Sequence, residues 1–158
     1  MGEANTNPSK TVSKRNASRM MKVSYLNHLD VREIAEGFYQ LLAPFYARID
    51  FDDGRVVEVM IPAGFVTDFA SVPKIPFAYL LFGGIGNKAA VVHDAFYSKF
   101  HGITVTDLTT RLPFEYDRRF ADIVFYFALL ACGIVWYKRQ VMYRTVRLFG
   151  GKYYKVKG

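Results

Sequence analysis

The chain has 158 residues, of which 51% are hydrophobic, and this is enough for one domain with a buried core. Its 21 Lys and Arg against 14 Asp and Glu give a net charge of +7, which favours anionic partners without choosing among nucleic acid, acidic lipid and particle surfaces. Because Cys132 is the single cysteine, the composition excludes an intrachain disulfide and a cysteine-based metal site.

The chain begins with a polar and basic segment, residues 1–21, rich in Ser, Asn, Thr, Lys and Arg. It lacks the continuous apolar stretch of a secretory signal, so we expect synthesis in the cytoplasm. Such a composition is typical of a flexible arm that becomes ordered on contact with a partner.

A single domain is predicted for residues 22–150. Residues 22–37 have no clear pattern and fit a short helix or a loop. Phe38 to Ile49 and Arg55 to Ile61 are aromatic and β-branched runs that flank Asp53-Gly54, a strong turn signal. We therefore expect an antiparallel β-hairpin near the start of the domain.

Prolines and glycines interrupt residues 62–87, which predicts an irregular loop region. Three helices should follow, at about residues 87–101, 114–132 and 134–149, each ending at a glycine suited to a helix C-terminus. The fold class is thus α+β, with a hairpin first, packed helices later, and a basic aromatic tail at residues 151–158.

The longest apolar run extends from Ile123 to Tyr137, and Asp122 and Lys138 close it at its two ends. A helix of about 15 residues is about 22 Å long, short of the ~30 Å hydrocarbon core of a bilayer. The run therefore predicts a buried helix, although Trp136 and Tyr137 at its polar boundary are also typical of membrane interfaces.

Three polar residues are candidates for catalysis. His93 and Tyr97 are four apart at the edge of an apolar helix stripe, which also fits an ordinary structural histidine. Asp122 begins an apolar segment, where a buried carboxylate needs a partner. That partner is either Arg118, four residues earlier, or His93 on a packed helix; in the second case the other His93 nitrogen can accept a proton from water.

Oxygen donors that suit a hard cation such as calcium occur at two carboxylates and in a glycine-rich loop. The candidate ligands are Asp94, Asp68 and the backbone carbonyls of Gly84 and Gly86. The alternative for Asp68 is a structural one, because Thr67, Asp68 and Ser71 are residues that cap and turn the backbone.

Basic residues alternate with tyrosines toward the C-terminus, a pattern that fits an anionic partner, nucleic acid included, but also fits a solvated face. The candidates for anionic-partner binding are Arg139, Arg144, Arg147, Lys152 and Lys155.

Four segments in this order resemble a phage and prophage family known as domain of unknown function number thirteen fifty-three. They are Gly64-Phe65-Val66-Thr67-Asp68-Phe69-Ala70-Ser71-Val72-Pro73, His93-Asp94-Ala95-Phe96-Tyr97, Arg119-Phe120-Ala121-Asp122 and Tyr143-Arg144-Thr145-Val146-Arg147-Leu148-Phe149-Gly150. The family name carries no activity, and the resemblance implies a phage or prophage origin.

The same residues show a second resemblance, to the phospholipase A2 superfamily, in which a helix with His-Asp-x-x-Tyr faces a helix that bears an Asp. It implies that His93 is the base, Asp94 a calcium ligand, Asp122 the orienting acid and Tyr97 its hydrogen-bonding support. The disulfide cysteines of that superfamily are absent here, and the glycine loop is unusually close to His93.

Two functions follow as predictions. The first is a structural or assembly-associated virion component that is made in the host cytoplasm and contacts other phage proteins through its N-terminal arm. The second is a calcium-assisted hydrolase with a His/Asp dyad, acting on lipid or envelope during entry or lysis at an anionic lipid surface.

Overall fold

A computed structural model describes residues 20–69 and 84–154. The larger of its two sheets has five antiparallel strands: β1 (Met21–Tyr25), β4 (Phe45–Phe51), β5 (Val56–Ile61), β7 (Thr104–Asp107) and β8 (Leu112–Pro113). Their order in the sheet is β1-β4-β5-β7-β8. The α+β class is confirmed, with more β-structure than the sequence predicted.

The predicted hairpin is formed by β4 and β5, which pair from Phe45 opposite Ile61 to Asp50 opposite Val56. Gly54 in the turn has φ +85°, a left-handed conformation that glycine adopts without strain. Along β4 buried and half-buried residues alternate, so one face of the strand lies against the core.

A second, three-stranded antiparallel sheet has the order β2-β3-β6. Its strands are β2 (Val31–Ala35), β3 (Phe38–Leu41) and β6 (Val66–Thr67). The expectation of a helix or loop at residues 22–37 was therefore wrong, since β1 and β2 lie there. The predicted strand from Phe38 to Ile49 is two strands, β3 and β4, because the proline in the connection between them has no N–H for a strand ladder.

Three α-helices occur in the described residues, as predicted: α1 (Asn87–Tyr97), α2 (Arg118–Ala131) and α3 (Trp136–Phe149). Helix α1 stops four residues earlier than expected, because Ser98 takes an extended backbone. Helix α2 starts at its N-cap Asp117, whose side chain accepts a hydrogen bond from the Phe120 N–H at 2.8 Å. A short 3-10 helix, Gly150–Tyr153, follows α3.

Helices α1 and α2 pack against the larger sheet, and α3 packs against α2. Helix α2 contacts β1, α1 and α3, and α1 also contacts β5. Nearly every residue of α1 from Ala89 onward is buried, since it is covered by other elements on most sides. Within the described residues, no helix is long and apolar enough to cross a membrane.

Several predictions fall on residues outside the described ranges. These residues are 1–19 of the predicted arm, 70–83 of the predicted loop region and 155–158 of the predicted tail. In the part of the loop region that is described, β6 was not anticipated.

Candidate functional site

The side chain of Asp122, in the first turns of α2, is 0% exposed. Transfer of a carboxylate from water to such a position costs several kcal/mol unless charged or hydrogen-bonding partners receive it. The stability of the buried Asp122 carboxylate therefore depends on the partners that contact it.

One carboxylate oxygen of Asp122, Oδ1, faces helix α1. The Nε2 atom of His93 lies 3.3 Å from it, and the hydroxyl of Tyr97 donates a hydrogen bond to the same oxygen. His93 and Tyr97 share one side of α1 because they are four residues apart. The structure thus brings together all three residues that the sequence proposed for catalysis.

The other oxygen, Oδ2, faces two arginines. Arg147 of α3 donates to it from Nη1 at 2.7 Å, and Nε of Arg118 lies 3.6 Å away. The two partners that the sequence offered as alternatives, Arg118 and His93, both lie next to Asp122. The Nη2 atom of Arg118 also donates to the backbone carbonyls of Val146 and Arg147, near the end of α3.

These contacts set the protonation of the group formed by Asp122, His93, Tyr97, Arg118 and Arg147, here called the Asp122 cluster. Burial alone would raise the pKa of Asp122, but hydrogen bonds from His93, Tyr97 and Arg147 outweigh it and hold that pKa below its usual range. Burial, together with the hydrogen bond to Asp122, raises the pKa of Tyr97. Near neutral pH, therefore, Asp122 is ionised and Tyr97 remains a donor.

The imidazole of His93 is held by rings as well as by the carboxylate. Its centroid lies 4.2 Å from that of Tyr97 and 4.5 Å from that of Phe125, and its side chain is 2% exposed. With Nε2 directed at an anion, the donor proton belongs on Nε2 and the lone pair on Nδ1. Within residues 20–69 and 84–154, Nδ1 has no hydrogen-bond partner.

Two glycines let the chain pass close to this cluster after α3. A Cβ atom on Gly150 would lie 2.9 Å from the Tyr97 hydroxyl, and one on Gly151 would lie 2.6 Å from Nη1 of Arg118. Any side chain at either position would press on a residue that contacts Asp122.

Asp94, next to His93, points to a different part of the fold. Asp94 is buried, and its Oδ2 accepts a hydrogen bond from the hydroxyl of Thr67 at 2.5 Å. The Thr67 oxygen in turn accepts the Phe69 N–H at 3.1 Å, and Phe69 has φ +51°. This bond ties the segment that contains Asp68 to α1. Thr67 was predicted only to cap or turn the backbone, although its position directly before Asp68 is a signal that could have identified it.

The predicted calcium ligands do not come together as one set. The carbonyl of Gly84 accepts the Asn87 N–H at 3.3 Å and that of Gly86 accepts the Ala90 N–H at 3.0 Å, so both belong to the start of α1. Asp94 is eight residues beyond Gly86, about 12 Å along a helix. The described residues contain no group of three or more metal-ligating side chains. The geometry does not fit the predicted set, and we assign no step to calcium.

The five residues proposed to bind an anionic partner differ in their contacts and exposure. Arg147 is engaged with Asp122, and Arg139 donates to the Ile134 carbonyl at 2.5 Å and lies over the Tyr126 ring. Lys152 lies over the ring of Tyr153, 4.9 Å from its centroid, whereas Arg144 is exposed. Lys155 lies outside the described residues. Alternating basic and aromatic residues could not reveal that Arg147 faces inward, because that depends on how α3 packs.

Comparison with known proteins identifies a family for this chain. The sequence profile of a family described as protein of unknown function, DUF1353, matches residues 40–146. These residues include all members of the Asp122 cluster except Arg147. No curated protein and no solved structure matches the chain.

Proposed function

Since the chain belongs to the DUF1353 family, whose description assigns no activity, we propose from its own geometry that it is a hydrolase in which His93 activates water. The observation that carries the proposal is the buried contact between His93 Nε2 and Asp122 Oδ1. An ionised carboxylate beside Nε2 fixes the orientation and the tautomer of the imidazole.

Four residues of the cluster have roles in the proposed reaction. His93 takes a proton from water at Nδ1 while the water oxygen forms a bond to the carbonyl carbon of an ester. The bond between that carbon and the alkoxy oxygen then breaks, and His93 returns the proton to the leaving oxygen. Asp122 stabilises the imidazolium between the two transfers, and Tyr97 and Arg147 keep Asp122 ionised and in place. The products are a carboxylic acid and an alcohol.

The substrate class comes from the resemblance to the phospholipase A2 superfamily, which supports an ester of a phospholipid. Two of the implied roles, the base at His93 and the acid at Asp122, agree with the contacts described above. The calcium ligand set implied by the same resemblance lacks such support, so the assay must be run both with calcium and with a chelator.

The test is release of fatty acid from vesicles of anionic phospholipid by the purified full chain. His93→Gln should lower the rate by about 10²–10⁴-fold, the usual contribution of a general base. His101→Gln is the matched control, because His101 is exposed and lies outside the cluster, and it should keep the full rate. Thermal unfolding of both variants separates loss of chemistry from loss of fold. A folded wild-type protein that hydrolyses nothing under either ion condition would contradict the proposal.

A role as a virion component remains a second proposal. Its support is the net charge of +7 and the polar N-terminal segment, most of which lies outside the described residues. Mass spectrometry of purified particles tests it directly, since a structural part must be present in a fixed ratio to the other particle proteins. The two roles are compatible, because a particle can carry an enzyme.

A further inference from the structure

The outer side of helix α3 carries apolar side chains where a domain surface normally carries polar ones. Met142 and Val146 mark the buried side of this helix. At 100° per residue, Tyr137, Gln140, Arg144 and Leu148 lie within about 40° of the opposite direction, and Val141 lies about 60° from it. A helix covered on one side only would be expected to present charged residues there.

Exposure confirms this geometry. The exposed fraction is 54% for Tyr137, 52% for Val141 and 76% for Leu148. The end of the helix adds Trp136 at 67%, whose ring lies edge-on to that of Tyr137 with a centroid distance of 6.3 Å. These four residues, with the exposed Arg144 between Val141 and Leu148, form a strip that is here called the α3 outer face. Exposed apolar side chains grouped on one helix in this way mark a binding surface.

The charges of α3 indicate what covers this face. Helix α3 has no acidic residue, and of its basic residues Arg144 is exposed on this face, whereas Arg147 is paired with Asp122 and Arg139 donates to the Ile134 carbonyl. Arg144 lies within the apolar strip itself. A second copy of the chain would bring like charges together, which is unfavourable, whereas an anionic surface would attract both the helix and a chain of net charge +7.

The residue types narrow the partner further. Trp and Tyr are the side chains that collect at the headgroup level of bilayers, because each has an apolar ring and a polar tip. A helix of 14 residues is about 21 Å long, too short to span the hydrocarbon core but suited to lie in the interface. We propose that the α3 outer face docks the protein on an anionic lipid bilayer, with α3 parallel to the membrane plane.

This docking does not rest on the proposed hydrolysis, since binding can be measured without turnover. Arg147 contacts the buried Asp122, whereas its neighbour Leu148 is exposed, as is Trp136, about 16 Å from Arg147 along α3. The strip and the cluster therefore differ in exposure and can be altered one at a time.

The chain contains one tryptophan, Trp136, which makes its fluorescence a native probe of the face. Full-length protein is titrated with vesicles of phosphatidylcholine mixed with phosphatidylglycerol, and with vesicles of phosphatidylcholine alone. We expect a shift of the Trp136 emission to shorter wavelength and co-sedimentation with the anionic vesicles, both weakened by added salt. Brominated lipids should quench the emission if the ring enters the interface.

Two pairs of variants test whether this face makes the contact. Leu148→Ser should weaken vesicle binding roughly tenfold, and the matched control Leu112→Ser, at an exposed leucine on β8, should leave binding unchanged. Arg144→Glu should weaken binding roughly thirtyfold, and more than Lys22→Glu, which changes the net charge equally at an exposed position of β1. Because Arg144→Glu and Lys22→Glu change the net charge equally, the difference between their affinities for vesicles reports local contact and not long-range attraction.

The outcomes are distinct. Weaker binding for Leu148→Ser than for Leu112→Ser, together with weaker binding for Arg144→Glu than for Lys22→Glu, supports the proposal. Absence of vesicle binding overturns it, and so does equal weakening by Leu148→Ser and Leu112→Ser. A concentration-dependent shift of Trp136 emission without vesicles, accompanied by a dimer in solution, would assign the face to a second copy and also overturn it. Failure of hydrolysis with intact vesicle binding would contradict the proposed function alone.

Discussion

The cluster around Asp122 and the α3 outer face depart from the usual distribution of residues in opposite directions. In the first, a carboxylate, an imidazole and a phenol are buried between three helices; in the second, Trp136, Val141 and Leu148 are in solvent. A buried polar group and an exposed apolar strip are the informative exceptions in a fold, because each costs stability unless it is used. Arg147 and Leu148, adjacent in sequence, belong to one exception each.

Of the substitutions that test this comparison, Asp122→Ala should lower the free energy of unfolding most. Removal of the carboxylate leaves Arg147 and His93 without their shared partner, and loss of one member of a buried charge pair costs about 3–5 kcal/mol. Urea denaturation measures the free energy of unfolding. Asp52→Ala, at an exposed turn residue, is the control and should change it by less than about 0.5 kcal/mol. A similar loss for both variants would show that the cluster adds no special stability.

The next largest loss of stability should distinguish the buried side of α3 from its exposed side. Val146→Ala removes fully buried methyl groups and should cost about 2 kcal/mol, whereas Leu148→Ala should stay within about 0.5 kcal/mol. Both are read from the same denaturation curves. An equal loss of unfolding free energy at the two positions would mean that Leu148 is covered within the isolated protein. The α3 outer face would then not be a free surface.

Tyr97→Phe deletes only the hydroxyl that donates to Asp122. Hydrogen bonds to charged groups contribute about 1.5–3 kcal/mol, and we expect the lower end of this range because His93 and Arg147 remain. Tyr137→Phe, on the exposed side of α3, should change the free energy of unfolding by less than its uncertainty. If the Tyr97 variant behaves like the Tyr137 variant, the hydroxyl contributes little to the cluster.

The smallest of these effects is a loss of stability at acid pH. Because the pKa of Asp122 is lower in the folded chain than in the unfolded one, its contribution is complete above the unfolded pKa and is lost as pH falls through the folded pKa. Stability of the wild type should therefore decline below about pH 4. Asp122→Asn should show a shallower decline in thermal midpoint over the same pH range, and an unchanged slope would assign the acid sensitivity to other carboxylates.

Much of the local structure could be predicted because short-range signals specify it. Asp53-Gly54 between two β-branched runs identified the β4–β5 hairpin, and the glycines after each apolar segment located three helices. The predicted contact between His93 and Asp122 followed from the cost of burying a carboxylate. These inferences needed only neighbouring residues or one strong energetic term.

The rest depended on long-range packing. Strand β7, a short threonine-rich segment, is a strand because it pairs with β5, and nothing within its own sequence requires this. The contact between Thr67 and Asp94 joins residues 27 apart, and the inward direction of Arg147 is set by how α3 crosses α2. Propensity and periodicity cannot supply such information, since they describe an element and not its neighbours.

The order of residues around Asp122 has a consequence for synthesis. A chain leaves the ribosome from its N-terminus, so His93, Tyr97 and Asp122 exist before Arg147, which is 25 residues after Asp122. Until α3 has been made, Asp122 lacks the cation that lies nearest to it, and its burial is opposed by the cost of an incompletely paired charge. The five-stranded sheet, complete by Pro113, is free of this constraint and can form first. Closure of the helical layer therefore waits for α3, and nascent chains stopped before Arg147 should remain open at α2.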